Sequence, residues 1–263
     1  MRIGIKPGQW GWSFADLERA WREAEEAGFA IISSFDHVTA APAGAAAWDA
    51  PSLLCAMAGK TERAAVAVDV INSSLRNPFF LAGQLAVAQA ASGGRLEVGL
   101  GAGSYHLARF DHAALGIEFP KREGRLRRLE ECCRILPALW RGESVTDEEL
   151  GLRDAALGPL GIRPPPIFVG GTSEGILAIA ARHGEGWNAV QHDPEAYAAL
   201  ARRVDELAGT PLRKAVQIFL RDVELETLRD RLRALEDAGA ESATIVLTEE
   251  GPDGVARVAE AVL

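Results

Sequence analysis

The stretch Ile167-Phe168-Val169-Gly170-Gly171-Thr172-Ser173 decides the fold: a short apolar strand runs straight into two glycines, and a hydroxyl pair then opens a helix. A strand that turns directly into a helix is half of a β-α-β unit, and such units make parallel strands joined by crossover helices. The next strand candidate, Trp187–Val190, follows one helix later. Outward from there, apolar runs of strand length recur at Ile3–Ile5, Ala30–Ser33, Ala64–Ile71, Leu96–Leu100, Ala215–Leu220 and Ala243–Leu247. Parallel strands with right-handed crossovers leave a closed barrel or an open doubly wound sheet. Eight strand-helix repeats in 263 residues favour the closed form, an α/β (β/α)8 TIM barrel built as one domain over residues 1–263.

The helices between the strands carry their own punctuation. Ser13 and Asp16 form a capping box, and Phe14, Leu17, Trp21 and Ala24 make one apolar stripe that stops at Gly28. Pro78 opens a second helix that ends at Ser92-Gly93-Gly94. Leu126, Leu129, Cys133, Leu136 and Trp140 mark a third, whose last turn Pro137 is expected to kink. Asp193-Pro194 begins another, carrying Tyr197, Leu200, Val204 and Leu207 inward before Gly209. Leu225, Leu228, Leu232 and Leu235 repeat the pattern before Gly239, and Val255, Val258 and Val262 form the last stripe. Ala40–Ala47 and Gly142–Pro166 show no periodicity and read as loops.

Composition narrows the function classes. A net charge of -9 argues against a nucleic-acid surface, which needs clustered Lys and Arg in excess. Arg122, Arg125, Arg127 and Arg128 alternate with Glu123, Glu130 and Glu131, the pattern of a solvated helix face. Three cysteines, two of them adjacent, make neither a disulfide framework nor a metal-ligand set, and they suit a reducing cytoplasm. No run approaches the roughly 18 apolar residues of a membrane span, and the first residues read as a strand, not a signal region. His-x-His pairs and a Gly-x-Ser-x-Gly elbow are absent, which weakens metal-hydrolase and serine-hydrolase readings.

In a barrel, reactive groups gather just after the strands, at their C-terminal ends. Gly170-Gly171-Thr172-Ser173 offers backbone N–H groups, a helix N-terminus and two hydroxyls to a phosphate, although an ordinary capped turn has the same residues. Glu174 suits the helix dipole but would repel a phosphate if it pointed inward. Asp36-His37 after the second strand is a candidate acid/base pair or a structural one. Asp69, inside an apolar run that ends in Asn72-Ser73-Ser74, needs either a hidden Arg partner or a functional reason. Gly99-Leu100-Gly101-Ala102-Gly103-Ser104 is a poor dinucleotide fingerprint, and close approach of backbone to a flat ring is its better use. Gly186-Trp187-Asn188 adds an amide, with Trp187 read as core packing. Lys6, just past the first strand, could in principle form a Schiff base.

Several segments taken together resemble the bacterial luciferase-like monooxygenase family. They are Thr61-Glu62-Arg63, Arg76-Asn77-Pro78, Ser92-Gly93-Gly94-Arg95-Leu96 with the following Gly99–Gly103, and Pro165–Gly171 with the following Gly186-Trp187-Asn188. The resemblance implies a (β/α)8 barrel that binds FMN or the deazaflavin coenzyme F420. It places the cofactor phosphate at Gly170, Gly171, Thr172 and Ser173, and the ring near Gly101 and Gly103. It also implies a non-prolyl cis peptide near Asp69–Val70, backing the ring. An Asp-His pair resembles the deazaflavin branch, where FMN oxygenases tend to have Glu-His-His, so Asp36 and His37 point to coenzyme F420. His37 is then the acid/base, and Asp36 orients the ring or His37. Ser104 stands where some deazaflavin dehydrogenases have a catalytic Glu, and Gly142–Gly161 lacks the usual insertion. The implied protein is an oxidoreductase that moves a hydride between coenzyme F420 and an organic substrate, built as a homodimer. The rivals are an FMN-dependent monooxygenase, a barrel that binds flavin without turnover, and an unrelated sugar-phosphate barrel enzyme.

Overall fold

The computed structural model describes residues 1–8, 10–39, 47–103, 106–190, 193–247 and 251–263. Eight parallel strands close into a barrel: β1 (Arg2–Lys6), β2 (Ile31–Ser34), β3 (Ala65–Asn72), β4 (Leu96–Gly101), β7 (Ile167–Gly170), β8 (Gly186–Val190), β9 (Arg213–Phe219) and β10 (Ser242–Val246). Closure comes from β1 against β10, with Arg2 opposite Ser242 and Lys6 opposite Val246. These are the eight strands expected from the sequence, each within one or two residues.

The period-2 pattern of each strand sorts its residues between two faces. Leu96, Val98 and Leu100 of β4 join the buried core between barrel and helices, leaving Glu97, Gly99 and Gly101 to the interior. On β3, Val66 and Val68 face the same outer core, and Ala67 and Asp69 face inward. The register of β3 against β4 then shifts between Val68 and Ile71, where the Asp69–Val70 peptide is cis. Alternation alone would send Val70 outward, but the shift keeps Val70 inside as well and returns Ile71 to the core. The cis peptide lies at the expected pair.

Helix α1 (Phe14–Ala27) forms as expected: Ser13 and Asp16 make a reciprocal capping box, Leu17, Ala20, Trp21 and Ala24 are buried, and Gly28 ends it with φ 102°. Two helices were not anticipated. α2 (Ala50–Ala58), capped by Asp49, has buried residues around most of its circumference, so its sequence lacks a polar face to reveal a 3.6 period. α4 (Ala108–Ala114) is two turns long with no side-chain cap. α3 (Pro78–Ala91), α5 (Arg122–Trp140, through Pro137), α6 (Glu174–His183), α7 (Pro194–Ala208) and α9 (Gly254–Val262) match their patterns. The Leu225–Leu235 stripe divides into a 3-10 turn at Leu225–Thr227 and α8 (Leu228–Asp237).

The reading of Gly142–Pro166 as loop needs correction. An antiparallel hairpin, β5 (Val145–Asp147) with β6 (Leu152–Ala155), lies in it, closed by Asp147 accepting from Leu150 N–H. With strands this short, Val145 and Leu152 are the hairpin side chains buried outright, with Leu150 and Ala155 partly covered, too few to show alternation. Most of the expected Ala40–Ala47 loop lies outside the described residues.

Candidate active site

The C-terminal ends of β1, β2, β3, β4, β7, β8 and β9 surround a cavity of about 420 Å³. Asp36, His37, Asp69, Val70, Gly101, Gly103, Gly170 and Gly171 all line it, so the fold gathers residues from four strands into one wall. Thr172 and Ser173 carry the chain onward from that wall into α6.

Val70 dictates the glycines around it. A Cβ on Gly101 would stand 2.4 Å from Val70 Cγ2, and one on Gly170 would stand 2.5 Å from Val70 Cγ1. Carbon atoms normally pack at about 3.5–4.0 Å, so neither neighbour has room for a side chain. The result is a single apolar boss between bare backbone segments. Beside it, a Cβ on Gly103 would collide with the amide of Asn72. Asn72 Oδ1 accepts from Ser74 N–H and Oγ–H, whereas its buried Nδ2 has no partner among the described residues. A cleft floored by one branched side chain, with an orphaned donor at its edge, fits a flat heteroaromatic ring with an acceptor on its rim.

Below the boss lies a buried polar network. Ser33 Oγ–H donates to Asp69 Oδ2 (2.8 Å), and Asn188 Nδ2 donates to Oδ1 (2.8 Å). Gln217 Nε2 donates to Asn188 Oδ1, and Lys6 Nζ donates to Gln217 Oε1 and to the Asp69 carbonyl. Burial pushes the Asp69 carboxyl above its ordinary value, against the lowering effect of Lys6 and Ser33. The Lys6 ammonium is pushed down to about 8, first by burial, with Asp69 opposing. Asp69 therefore has Lys6, Ser33 and Asn188 as partners, not the hidden arginine considered for it. Lys6 also lies 4.9 Å from the Phe35 ring centroid.

The Gly170–Ser173 turn is held from below. Gly171 takes φ 135°, a region for glycine, and a Cβ there would sit 2.6 Å from Ile176 Cδ1. Its N–H donates to the Asn188 carbonyl, and Trp187 Nε1–H donates to its carbonyl at 2.7 Å. Trp187, expected as packing, stacks on Tyr197 and also anchors this turn. Ser173 occupies the N-cap of α6, yet its side chain makes no capping bond. The Glu174 carboxylate is tied to Arg203, so its charge is neutralised at the surface.

His37 lines the same cavity from the loop after β2, its ring 5.3 Å from Trp10, which in turn stacks on Phe35. Its Nδ1 lies 2.7 Å from Asp111 Oδ2 on α4. Of the two roles expected for Asp36, orienting the ring or His37, the second is therefore corrected: the partner of His37 Nδ1 is Asp111. Asp36 is buried and bound by the Arg76 guanidinium, and it accepts from Asn72 N–H at 3.0 Å. A two-pronged guanidinium within reach of a buried carboxylate is the stronger claim on it. Asp111 was missed because it sits 74 residues from His37 on a helix without a sequence signature.

Residues 2–221 match the luciferase-like monooxygenase family. The chain belongs to this family. Among curated relatives of this luciferase-like protein is one from Kineococcus radiotolerans named F420-dependent glucose-6-phosphate dehydrogenase. It is 32% identical over 171 residues, covering 63% of this chain and 49% of the relative. The matched stretch thus spans about half the length of such relatives. A solved structure of coenzyme F420-dependent tetrahydromethanopterin reductase from Methanopyrus kandleri superposes with a TM-score of 0.80 at 14% identity, covering 99% of this chain and 98% of its own. An F420-dependent secondary alcohol dehydrogenase in complex with an F420-acetone adduct gives 0.78 at 15% identity, with coverage of 99% and 98%. At those identities the likeness is one of fold, and it is the barrel already described.

The segments that carried the family resemblance divide between the two ends of this luciferase-like barrel. N–H groups of Glu62, Arg63 and Ala64 converge on the Glu25 carboxylate, and Arg95 binds the Ala64 and Thr61 carbonyls; both clusters brace the end where strands begin. Gly101, Gly103, Gly170 and Gly171 face the cavity at the other end. Ser104 lies outside the described residues. Among the described residues no group of three His, Cys, Asp or Glu could hold a metal, and no helix is long and apolar enough to cross a membrane.

Proposed function

We propose that the protein is an oxidoreductase that exchanges a hydride between coenzyme F420 and an organic substrate, with His37 moving the accompanying proton. The observation that carries this reading is that His37, the glycine-walled Val70 boss and the Gly170–Gly171 turn share one cavity. Relatives named as F420-dependent dehydrogenases support the deazaflavin over FMN. Bound there, the deazaflavin supplies a carbon that takes or gives a hydride, two electrons at a time.

The chain's own residues do the rest. Val70 supports one face of the ring, and Asp69 with its Lys6, Ser33 and Asn188 partners fixes the strand that presents it. Asn72 Nδ2 offers a donor to the ring edge, and Asp36, held by Arg76, keeps Asn72 in place through its backbone. The Gly170-Gly171-Thr172-Ser173 turn takes the phosphate, using the hydroxyl that Ser173 does not spend on capping. His37 accepts the substrate's proton as the hydride leaves the adjoining carbon, or returns it in the reverse direction. The same reading includes a homodimer, supported by the exposed apolar stripe of Phe80 and Val87 on α3.

The test is His37→Ala with a panel of alcohols and carbonyl compounds, following deazaflavin absorbance. General acid–base catalysis is worth roughly 10²–10⁴-fold, and a loss of that size in kcat with cofactor affinity intact is expected. Full hydride transfer by the variant would remove His37 from the mechanism.

A further inference from the structure

We propose that Asp111 is a positioning residue that fixes His37 as its Nδ1–H tautomer, so that proton exchange in the cavity runs through Nε2; this rests on the reading of His37 as the proton carrier. The two residues come from different crossover segments, Asp111 from the helix after β4 and His37 from the loop after β2, and the barrel brings them together across 74 residues. The Asp111 side chain is 1% exposed and that of His37 16%, so the contact is shielded while the imidazole still lines the cavity.

The carboxylate's bonding decides which group carries the hydrogen. Asp111 Oδ1 accepts from Val38 N–H (3.1 Å), Thr39 N–H (3.0 Å) and Thr39 Oγ–H (2.9 Å), and Oδ2 is devoted to His37 Nδ1. Burial alone would raise the Asp111 carboxyl, but the His37 and Thr39 bonds outweigh it and hold the group below its ordinary value. An ionised carboxylate only accepts, so the hydrogen in the 2.7 Å contact belongs to Nδ1. With Nδ1 committed, Nε2 is the ring nitrogen that exchanges a proton with substrate. A clamp on the 37–39 loop would require only the three bonds to Oδ1; the fourth serves the imidazole. Trp10, packed 5.3 Å from the same ring, holds it from another side. Asp36, although adjacent in sequence, cannot substitute, because Arg76 and Asn72 N–H already occupy it.

The wild-type protein and Asp111→Asn are compared by ¹⁵N NMR of the histidine rings, with His37→Ala to assign the signals. Asparagine keeps an oxygen for the Val38 and Thr39 donors but presents an NH₂ to Nδ1. The expected result is a neutral His37 protonated on Nδ1 in the wild type, with a low-field Nδ1–H proton, and transfer of that hydrogen to Nε2 in the variant. A merely structural aspartate would leave both signals where they were, and that result overturns the proposal. Should Asp111→Asn fail to fold, the wild-type spectrum still decides: a neutral His37 carrying its hydrogen on Nε2 is incompatible with the dyad. Loss of the dyad would leave His37's role standing, and full turnover by His37→Ala would end that role without touching the tautomer.

Discussion

Placing a methyl on Gly101 tests the cavity floor directly. In Gly101→Ala the new carbon would lie 2.4 Å from Val70 Cγ2, more than 1 Å inside a normal contact of about 3.5 Å. Gly101 is the last residue of β4, paired with Asn72 on one side and Gly170 on the other, so the strand cannot back away. Val70 must yield, and the free space is the cavity where the ring is proposed to sit. Forcing a methyl into such a contact costs about 1–3 kcal/mol, offset by roughly 0.4–1 kcal/mol from the stiffer unfolded chain. For a domain of this size the net loss lowers Tm by a few degrees. Thermal unfolding followed by circular dichroism and cofactor titration measure the two consequences, a lower Tm and weaker binding. Val70→Ala removes both clashing methyls, so the double variant should recover stability with a coupling of about 0.5–3 kcal/mol. Wild-type Tm and affinity in Gly101→Ala, or simple additivity in the double variant, would refute the account of why glycine stands there.

Substitutions at two further positions address the buried charges. Lys6 is fully buried and titrates at about 8 against an ordinary 10.5. Between those values the unfolded chain holds a proton that the native chain has released, so stability relative to Lys6→Met should rise with pH across the window, by up to about 3 kcal/mol. Urea unfolding of both proteins at several pH values from about 7 to 10 measures it, and a flat difference would be contrary. Arg76→Ala would strand the buried Asp36 carboxylate, at a cost of about 3–5 kcal/mol. Arg76→Lys should recover only part, because an ammonium cannot span both oxygens; a urea midpoint for Arg76→Lys equal to that of the wild type would contradict the bidentate role.

The barrel was legible because strand and helix periods alternate cleanly and glycines punctuate them. The inward face of β4 could be read directly, since Leu96, Val98 and Leu100 take every second place and leave Gly99 and Gly101 opposite. The lining of the candidate site was legible where it is local to one strand end, as at Gly170-Gly171 or Asp36-His37. It was illegible where two crossover segments meet. Asp36 and Asp111 are both carboxylates within reach of the same loop, and only the fold shows that Arg76 takes the first and His37 the second. Likewise Trp187 read as core, and its indole N–H bond to the Gly171 carbonyl depends on geometry that no spacing encodes. α2 escaped because a helix with buried residues nearly all round has no amphipathic pattern.

The central claim is that this cavity takes a deazaflavin. Titrating the purified protein in parallel with oxidised coenzyme F420 and FMN, by fluorescence quenching, tests it most directly. The expected result is saturable binding of coenzyme F420 that weakens in Gly101→Ala, with FMN markedly weaker. Tight FMN binding with none of coenzyme F420, or no binding of either, would contradict the claim.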